Sequence, residues 1–229
     1  MLNFRSTICY FKSRKDVQIM TKLRSIGTAV GLTALLAAPI MASGNLLTNG
    51  GFESTPALTN SAGGWGFFSP DQVDGWDTDG NNIEIWSSGF GGVNADEGEQ
   101  FAELNAHPKT GSAFTLFQDI VTNIGQSYEL SFAYRARSGS GTESFNVAAG
   151  DLSLDIANTS ANDWTTYSGI FTASSETTRL LFTSVSPETN TFGNFLDDVS
   201  VIAKVPEPGS LALLGLGLAG LGLSRRRKS

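Results

Sequence analysis

The stretch SYELSFAYRAR, residues 127–137, carries the clearest structural signal in the sequence. Large apolar side chains occupy every second position from Tyr128 to Tyr134, and smaller or polar side chains fill the positions between them. Successive side chains of a β-strand point to opposite faces, so this alternation predicts a strand with one face in a hydrophobic core.

Further short runs of this kind follow one another between residues 45 and 203, and long runs with helical periodicity are missing there. They are rich in Phe, Tyr, Thr, Val and Ile, and clusters of Gly, Asn, Asp and Ser separate them. The other predicted strands are 82–86, 100–105, 113–121, 144–148, 152–156, 165–172, 178–185 and 194–203. About nine or ten strands at this spacing predict an all-β fold, an antiparallel β-sandwich.

Charge divides the chain into an acidic middle and basic ends. Residues 45–204 contain 20 acidic and 5 basic residues, a net charge of −15, whereas the whole chain has −7. Nucleic acids and anionic lipids bind through cationic contacts to phosphate, so this domain is not expected to bind nucleic acid. The single cysteine, Cys9, lies outside this domain, which excludes a disulfide or a Cys-ligated zinc site within it.

The N-terminus has the order of features that directs export. Basic residues, an apolar run and three small residues lie at 22–24, 26–41 and 42–44. This order predicts a signal segment over residues 1–44 that signal peptidase removes, and the alternative is a buried hydrophobic helix. Translation from Met20 would give a signal segment of ordinary form, and Cys9 would then never be made.

The C-terminal stretch, VPEPGSLALLGLGLAGLGLSRRRKS at 205–229, predicts a short apolar helix followed by a basic end. Its 13 uninterrupted apolar or glycine residues, 211–223, would span about 20 Å as a helix. That is shorter than a hydrocarbon core of roughly 30 Å, so a transient membrane helix is favoured over an ordinary anchor. The positive-inside rule places the basic end in the cytoplasm and the acidic domain outside.

This tail resembles the PEP-CTERM sorting signal, which joins a Pro-Glu-Pro motif, a short apolar helix and an arginine cluster. The matching residues are Pro206, Glu207, Pro208, Arg225, Arg226 and Arg227. The resemblance implies processing by an exosortase in a Gram-negative bacterium that makes exopolysaccharide. The protein is then expected in the cell envelope or extracellular matrix, after transient anchoring in the inner membrane.

The domain resembles a family of extracellular β-sandwiches, the galactose-binding-like jelly rolls, and within them the DUF642 group and the CBM4/9 carbohydrate-binding modules. The phrases that carry the resemblance are NLLTNGGFE at 45–53, GWDT at 75–78, IEIW at 83–86, GEQFAELNA at 98–106, YELSFAYRAR at 128–137 and GNFLDDVSV at 193–201. The resemblance implies one jelly-roll domain over residues 45–204.

Such jelly rolls often build a structural calcium site where the first and last of these phrases meet. The matching carboxylates are Glu53, Asp197 and Asp198, and calcium is bound by oxygen ligands of this kind. Strict alternation along the last strand would place Asp197 inward, on the face of Phe195 and Val199, where a carboxylate needs a partner or a metal. The alternative is an exposed acidic strand end or a simple cap.

Sugar binding requires flat aromatic faces that remain accessible. The glycine-rich segment at 63–70 contains Trp65, Phe67 and Phe68, which are hard to place in a strand. We expect Trp65, Phe68 and Trp86 to stack on sugar rings. If the protein is purely structural and binds no sugar, the five aromatics Trp65, Phe67, Phe68, Trp76 and Trp86 should all be buried, as large aromatics usually are.

Sequence motifs for catalysis are missing, and we expect a non-enzymatic protein. The nucleophile elbow, the H-E-x-x-H motif and a phosphate-binding glycine loop do not occur, and His107 is the sole histidine. Glu84, Glu99 and Glu103 could face a groove, but a glycan-active enzyme would need two carboxylates converging beside the aromatics. The acidic stretch at 71–82 lacks the spacing of an EF-hand and favours hydrogen-bonded turns. The expected function is association of an exported protein with exopolysaccharide.

Overall fold

The structure is a computed structural model that describes residues 44–106, 113–137, 143–157, 160–186, 192–204 and 215–218. The chain divides into residues 1–37 and residues 38–229, and every described residue belongs to the second unit. The predicted signal segment, His107, and the sorting residues Pro206–Pro208 and Arg225–Arg227 lie outside the described ranges.

Within these ranges the chain forms two antiparallel sheets and two short 3-10 helices, Pro70–Gln72 and Phe90–Gly92. The strands are β1 Trp65–Phe68, β2 Asp77–Thr78, β3 Ile83–Ser87, β4 Gln100–Glu103, β5 Thr115–Val121, β6 Ser127–Ala136, β7 Ser144–Ala149, β8 Leu152–Ile156, β9 Thr165–Thr172, β10 Thr177–Ser186 and β11 Asn194–Ala203. The six-stranded sheet has the order β1-β3-β4-β11-β6-β9, and the five-stranded sheet has the order β2-β5-β10-β7-β8. The prediction of an all-β antiparallel sandwich is confirmed.

Each predicted strand occurs in the structure, with ends that differ by at most two residues. Two short strands, β1 and β2, were not predicted from the sequence. The expectation that residues 65–68 do not fit a strand is wrong, because they pair with β3 in the register Trp65↔Trp86 to Phe68↔Ile83. A run of four residues carries too little alternation to reveal a strand that depends on its neighbour.

The main core lies between the two sheets, where apolar side chains from both inner faces interlock. The alternation of β6 is realised as predicted: Tyr128, Leu130 and Phe132 are buried in this core, and Tyr134 packs against it. The fully buried aromatic residues of the core include Phe52, Phe114, Phe145, Phe171 and Phe182. Burial on this scale explains how a domain without disulfides is held together.

The last strand corrects one expectation. Phe195, Asp197, Val199 and Val201 were expected to share the core face, but the pairing of β11 with β6 shifts register between Asp197 and Ser200. Asp198 has a positive φ of 44° at this bulge. One extra residue reverses the alternation, so Phe195 lies outside the main core while Val199 and Val201 lie inside it.

The structure does not support the predicted C-terminal apolar helix. Residues 215–218 form a single exposed helical turn, and they are the described part of the apolar run. Among the described residues we find no helix with the length and apolar character needed to cross a membrane.

Candidate functional site

A second group of aromatic residues covers the outer face of the six-stranded sheet, the face turned away from the main core. We call it the outer aromatic cluster. Its buried members are Trp86, Val93, Phe101 and Phe195, and Trp65, Phe90, Ala95 and Trp164 pack against them. It lies on the opposite face because these residues alternate with core residues: Phe101 precedes the core residue Ala102, and Phe195 precedes Leu196.

Trp86 is the centre of the cluster. It lies directly opposite Trp65 on one side and Phe101 on the other. Its ring centroid is 4.9 Å from that of Phe90 and 5.0 Å from that of Phe195. These contacts leave Trp86 only 6% exposed, so the residue supports the surface without offering a free ring face.

Arg137 covers what remains of the Trp86 ring. The Arg137 Cζ atom is 4.7 Å from the centroid of the Trp86 ring and 4.3 Å from that of Phe192. Its Nη1 donates hydrogen bonds to both carboxylate oxygens of Glu103, at 2.9 and 3.0 Å. A guanidinium held by a carboxylate and stacked on aromatic rings is fixed in position.

The rim of the cluster keeps aromatic surface accessible. Trp65, Phe90 and Trp164 pack against the cluster and are half-buried, and Phe192, beside Arg137, is 44% exposed. Phe67 is also half-buried; it touches Trp65 and packs against the main core as well. The rings of Trp65 and Phe67 meet edge to face with centroids 4.9 Å apart. The Trp65 indole N–H donates to Ser61 Oγ at 3.2 Å, which orients the ring. The rim therefore presents ordered, partly accessible rings beside a fixed cation.

The three residues predicted to bind sugar have different positions. Trp65 lies on the rim, Trp86 is buried beneath it, and Phe68 belongs to the main core with 6% exposure. Phe68 therefore has no accessible ring face, because the alternation of β1 turns it inward and turns its neighbour Phe67 outward.

Several residues of the rim were not predicted: Phe67, Trp164, Phe192 and Arg137. The alternation in the run WGFF could have separated Phe67 from Phe68. Trp164 and Phe192 reach the cluster from distant segments, so local sequence contains no signal for them.

The acidic residues considered for catalysis do not reach this surface. Glu84 and Glu103 lie side by side but are only 4% and 0% exposed. Glu99 is exposed, and its backbone N–H donates to Glu53 Oε1 at 2.7 Å.

Two of the three carboxylates predicted to bind calcium are hydrogen-bonded to one loop, residues 96–100. Glu53 Oε1 accepts hydrogen bonds from the backbone N–H groups of Glu99 and Gln100, at 2.7 and 2.9 Å. Asp197 Oδ2 accepts those of Asp96 and Glu97, at 2.8 and 3.0 Å. The structure thus brings Glu53 and Asp197 to the same loop, whereas the third predicted ligand, Asp198, is exposed.

The fit of this region to a metal is partial. Asp197 is fully buried, and burial raises its pKa to about 7 although backbone N–H groups oppose the shift. A buried carboxylate without a cation among the described residues is a feature that a metal would compensate. However, no three Asp, Glu, His or Cys side chains of the described residues lie together in a way that could hold a metal. Calcium bound here would have to use loop carbonyl oxygens as well.

The acidic stretch at 71–82 forms hydrogen-bonded turns and strand ends. Asp74 Oδ2 accepts from Ser54 Oγ at 2.5 Å, and Asp79 Oδ1 accepts from the Thr115 N–H at 2.8 Å. These two carboxylates therefore bind residues 20 and 36 positions away along the chain.

The outer face of the five-stranded sheet offers a contrast. Arg179 donates to both oxygens of Asp119 at 2.7 Å, and its Cζ atom is 3.9 Å from the centroid of the Phe117 ring. Both charged side chains are about half exposed, at 51% and 45%. This face repeats the arginine–aromatic–carboxylate arrangement without its burial.

Comparison with known families places the domain. Residues 45–202 match the family model described as a protein of unknown function, DUF642. The chain belongs to the DUF642 family. Residues 204–228 of this DUF642 protein match the PEP-CTERM protein-sorting motif, so the predicted resemblance of the tail is confirmed.

One curated relative of this DUF642 protein is halomucin of Haloquadratum walsbyi (strain DSM 16790 / HBSQ001). The two are 27% identical over 167 residues, which is 69% of this chain. The matched stretch is only 2% of halomucin.

Solved structures with a similar fold include carbohydrate-binding modules. TmCBM61, solved in complex with β-1,4-galactotriose, is 16% identical with a TM-score of 0.46, and covers 70% of this chain and 99% of its own. The CBM22-1 xylan-binding domain from Paenibacillus barcinonensis Xyn10C is 12% identical with a TM-score of 0.43, and covers 72% and 98%. A CBM4 structure is 17% identical with a TM-score of 0.41, and covers 69% and 99%.

Proposed function

We propose that this DUF642 protein is an exported surface or extracellular-matrix protein that associates with exopolysaccharide through the rim of the outer aromatic cluster. The observation that supports this proposal is the half-exposed set Trp65, Phe67 and Phe90 around the buried Trp86. Ligand sites combine apolar and aromatic surface with a few fixed polar groups, and Arg137 is such a group here.

The alternative is a purely structural protein that binds no sugar. It predicts that five aromatic residues are all buried: Trp65, Phe67, Phe68, Trp76 and Trp86. Phe68, Trp76 and Trp86 are buried, but Trp65 and Phe67 keep accessible surface. Partly exposed aromatic rings on an ordered surface cost the domain some of the free energy that burial would provide, so their exposure favours a binding role.

The ligand class follows from charge. A domain with a net charge of −15 repels polyanions, and Arg137, the cation over Trp86, is already paired with Glu103. We therefore infer that the glycan is neutral or nearly so.

The proposed association is non-catalytic. Glycoside hydrolysis uses two carboxyl groups about 5–10 Å apart on either side of the scissile bond. Glu84 and Glu103 lie on the same face as Trp86 and Phe101, but they are almost fully buried and adjacent to each other, so a sugar bound on the rim would not lie between them.

The tail supports export and sorting. The PEP-CTERM motif at residues 204–228 suggests recognition by an exosortase after signal peptidase has acted, with transient membrane anchoring through the apolar run. A Gram-negative envelope as the destination stays a prediction.

Calcium is proposed as a structural ligand near Asp197. The proposal rests on the fully buried carboxylate of Asp197 and on the approach of Glu53 to the same loop. An ion there would neutralise Asp197 and stiffen residues 96–100, which border the outer aromatic cluster through Ala95.

Pull-down with the producing strain's own exopolysaccharide, and with neutral β-linked glycans such as galactan and xylan, tests the binding proposal. We expect the full-length protein to bind at least one of them and the variant Trp65→Ala/Phe67→Ala to lose most of the binding. Phe117→Ala, on the opposite outer face, is the matched control and should bind like the native protein. Equal retention of native protein and the double variant would favour the structural alternative, and selective loss in Phe117→Ala would move the site to the other sheet.

A further inference from the structure

Two glutamates lie side by side next to the outer aromatic cluster, on the same face of the six-stranded sheet. Glu84 on β3 and Glu103 on β4 are directly opposite each other in the register of the two strands. Directly opposed residues of an antiparallel pair project from the same face with their Cβ atoms close together. Glu84 and Glu103 are 4% and 0% exposed, so both side chains are shielded from solvent.

Hydrogen bonds define the state of this pair. Glu103 accepts from Arg137 Nη1 and, at 3.0 Å, from the Gly193 N–H, and Glu84 Oε1 accepts from the Trp86 indole N–H at 3.0 Å. The two side chains project from the same face at directly opposed positions. An ionised carboxylate can only accept hydrogen bonds, so two neighbouring carboxyl groups can share a hydrogen bond only when one of them carries a proton.

Among the residues that the structure describes, the surrounding strands provide one cation for this pair. The residues opposite the pair on the flanking strands are apolar: Phe67 on β1 faces Glu84, and Phe195 on β11 faces Glu103. From β6 and the residue that follows it come two arginines. Arg137 contacts Glu103, whereas Arg135 lies towards Trp164, at 5.9 Å from its ring centroid, and interacts with Asp163.

One more carboxylate approaches Arg137. Glu143 Oε2 accepts a hydrogen bond from the backbone N–H of Arg137 at 2.6 Å. Glu143 is itself acidic, so it does not offset the charge of Glu84 and Glu103. With Glu84 and Glu103 both ionised, the buried group formed with Arg137 would carry a net negative charge, which a low-dielectric site disfavours.

The direction of titration agrees with the geometry. Burial raises the pKa of Glu84 to about 7, although the Trp86 hydrogen bond and the Arg137 charge oppose the shift. Burial and the neighbouring Glu84 carboxylate raise the pKa of Glu103 well above its usual range, against the effect of Arg137. Two carboxyl groups that share one site behave in this way.

We propose that Glu84 and Glu103 hold one shared proton in the folded protein, and that the six-stranded sheet loses stability when the solvent becomes too alkaline to supply it. The outer face is thereby a pH-responsive element, independent of whether it binds a glycan. Below the ordinary glutamate pKa of 4.5 the contribution of Glu84 is complete. It is lost as the pH rises to about 7, because the unfolded chain releases this proton while the folded protein keeps it.

Glu84→Gln tests the proposal because glutamine imitates the protonated acid. Its amide can donate to Glu103 while its oxygen accepts from Trp86. We expect the full chain with Glu84→Gln to melt at the native temperature near pH 4.5, and about 5 °C or more above it near pH 8. Glu129→Gln, at an exposed glutamate paired with Lys204, should show no difference that grows with pH over this range. A Glu84→Gln effect that is the same at both pH values would overturn the proposal.

Infrared spectroscopy provides a second measurement that does not require Glu84→Gln to fold. At about pH 6 exposed carboxyl groups are ionised, so a carboxylic-acid carbonyl band reports buried protonated groups. Burial also raises the pKa of Asp197 to about 7, so the spectrum is recorded with Asp197→Asn. We expect the acid band to persist there and to disappear near pH 9, and its absence at pH 6 would overturn the proposal.

Discussion

Arg137 lies over the ring of Trp86, with its Cζ atom 4.7 Å from the ring centroid, while its Nη1 is bound to both oxygens of Glu103. Glu103 is fully buried, and the Arg137 side chain is 25% exposed. The Arg137 side chain therefore contacts a buried charge and a buried ring, and it also reaches the solvent.

Removing this arginine should destabilise the domain strongly. Arg137→Met leaves the Glu103 carboxylate buried without its cation, and breaking a buried pair in this way costs about 3–5 kcal/mol. Arg179→Met removes a comparable arginine from Asp119 and Phe117 at an exposed site, where the loss should stay within about 1 kcal/mol. Urea unfolding of both variants measures the contrast, and similar losses for the two would show that burial of Glu103 does not set the energy.

Alanine substitution of the two neighbouring phenylalanines on β1 should affect different properties, mainly stability for Phe68 and mainly glycan binding for Phe67. Phe68→Ala opens a cavity in the main core and should cost about 3–5 kcal/mol in the free energy of unfolding. Phe67→Ala removes a ring that is only half-buried and packs against the margin of this core, so it should cost clearly less and weaken the proposed glycan binding. Thermal unfolding and pull-down on both variants separate the two roles. A larger loss of stability in Phe67→Ala would contradict the assignment of faces.

The bulge in β11 predicts which residues position 198 accepts. The positive φ of 44° at Asp198 favours residues with little steric cost in the left-handed region. Asp198→Gly should be neutral or slightly stabilising, and Asp198→Val should destabilise by about 1–2 kcal/mol. Chemical denaturation of the pair measures this, and a valine that is tolerated as well as glycine would show that the strand continues without a bulge.

Calcium should stabilise the native protein if Asp197 contributes to a site. We expect added Ca²⁺ to raise the melting temperature and a chelator to lower it, because a ligand that binds only the folded state shifts unfolding. Asp197→Asn should abolish the response, and Asp155→Asn, at an exposed aspartate on β8, should keep it. An unchanged melting temperature of the native protein with and without Ca²⁺ would remove calcium from the proposal.

The candidate site was predicted only in part. Trp65 and Trp86 were predicted as aromatic residues of a binding region, and both belong to the outer aromatic cluster. The pairing of Glu84 with Glu103, and the covering of Trp86 by Arg137, could not be predicted. They join side chains separated by 19 and 51 positions along the chain, and a local pattern contains no information about such pairs.

The sequence by itself determined nine of the eleven described strands, the all-β class and the sorting motif of the tail. Each of these is a local property: alternation every two residues, turn residues between runs, and a motif of 25 consecutive residues. The tertiary structure alone decided which aromatic rings stay accessible, where β11 changes face and which carboxylates share a buried site. These depend on strand order and register, because side chains on β1, β3, β4, β11 and β6 meet only after the six-stranded sheet has formed.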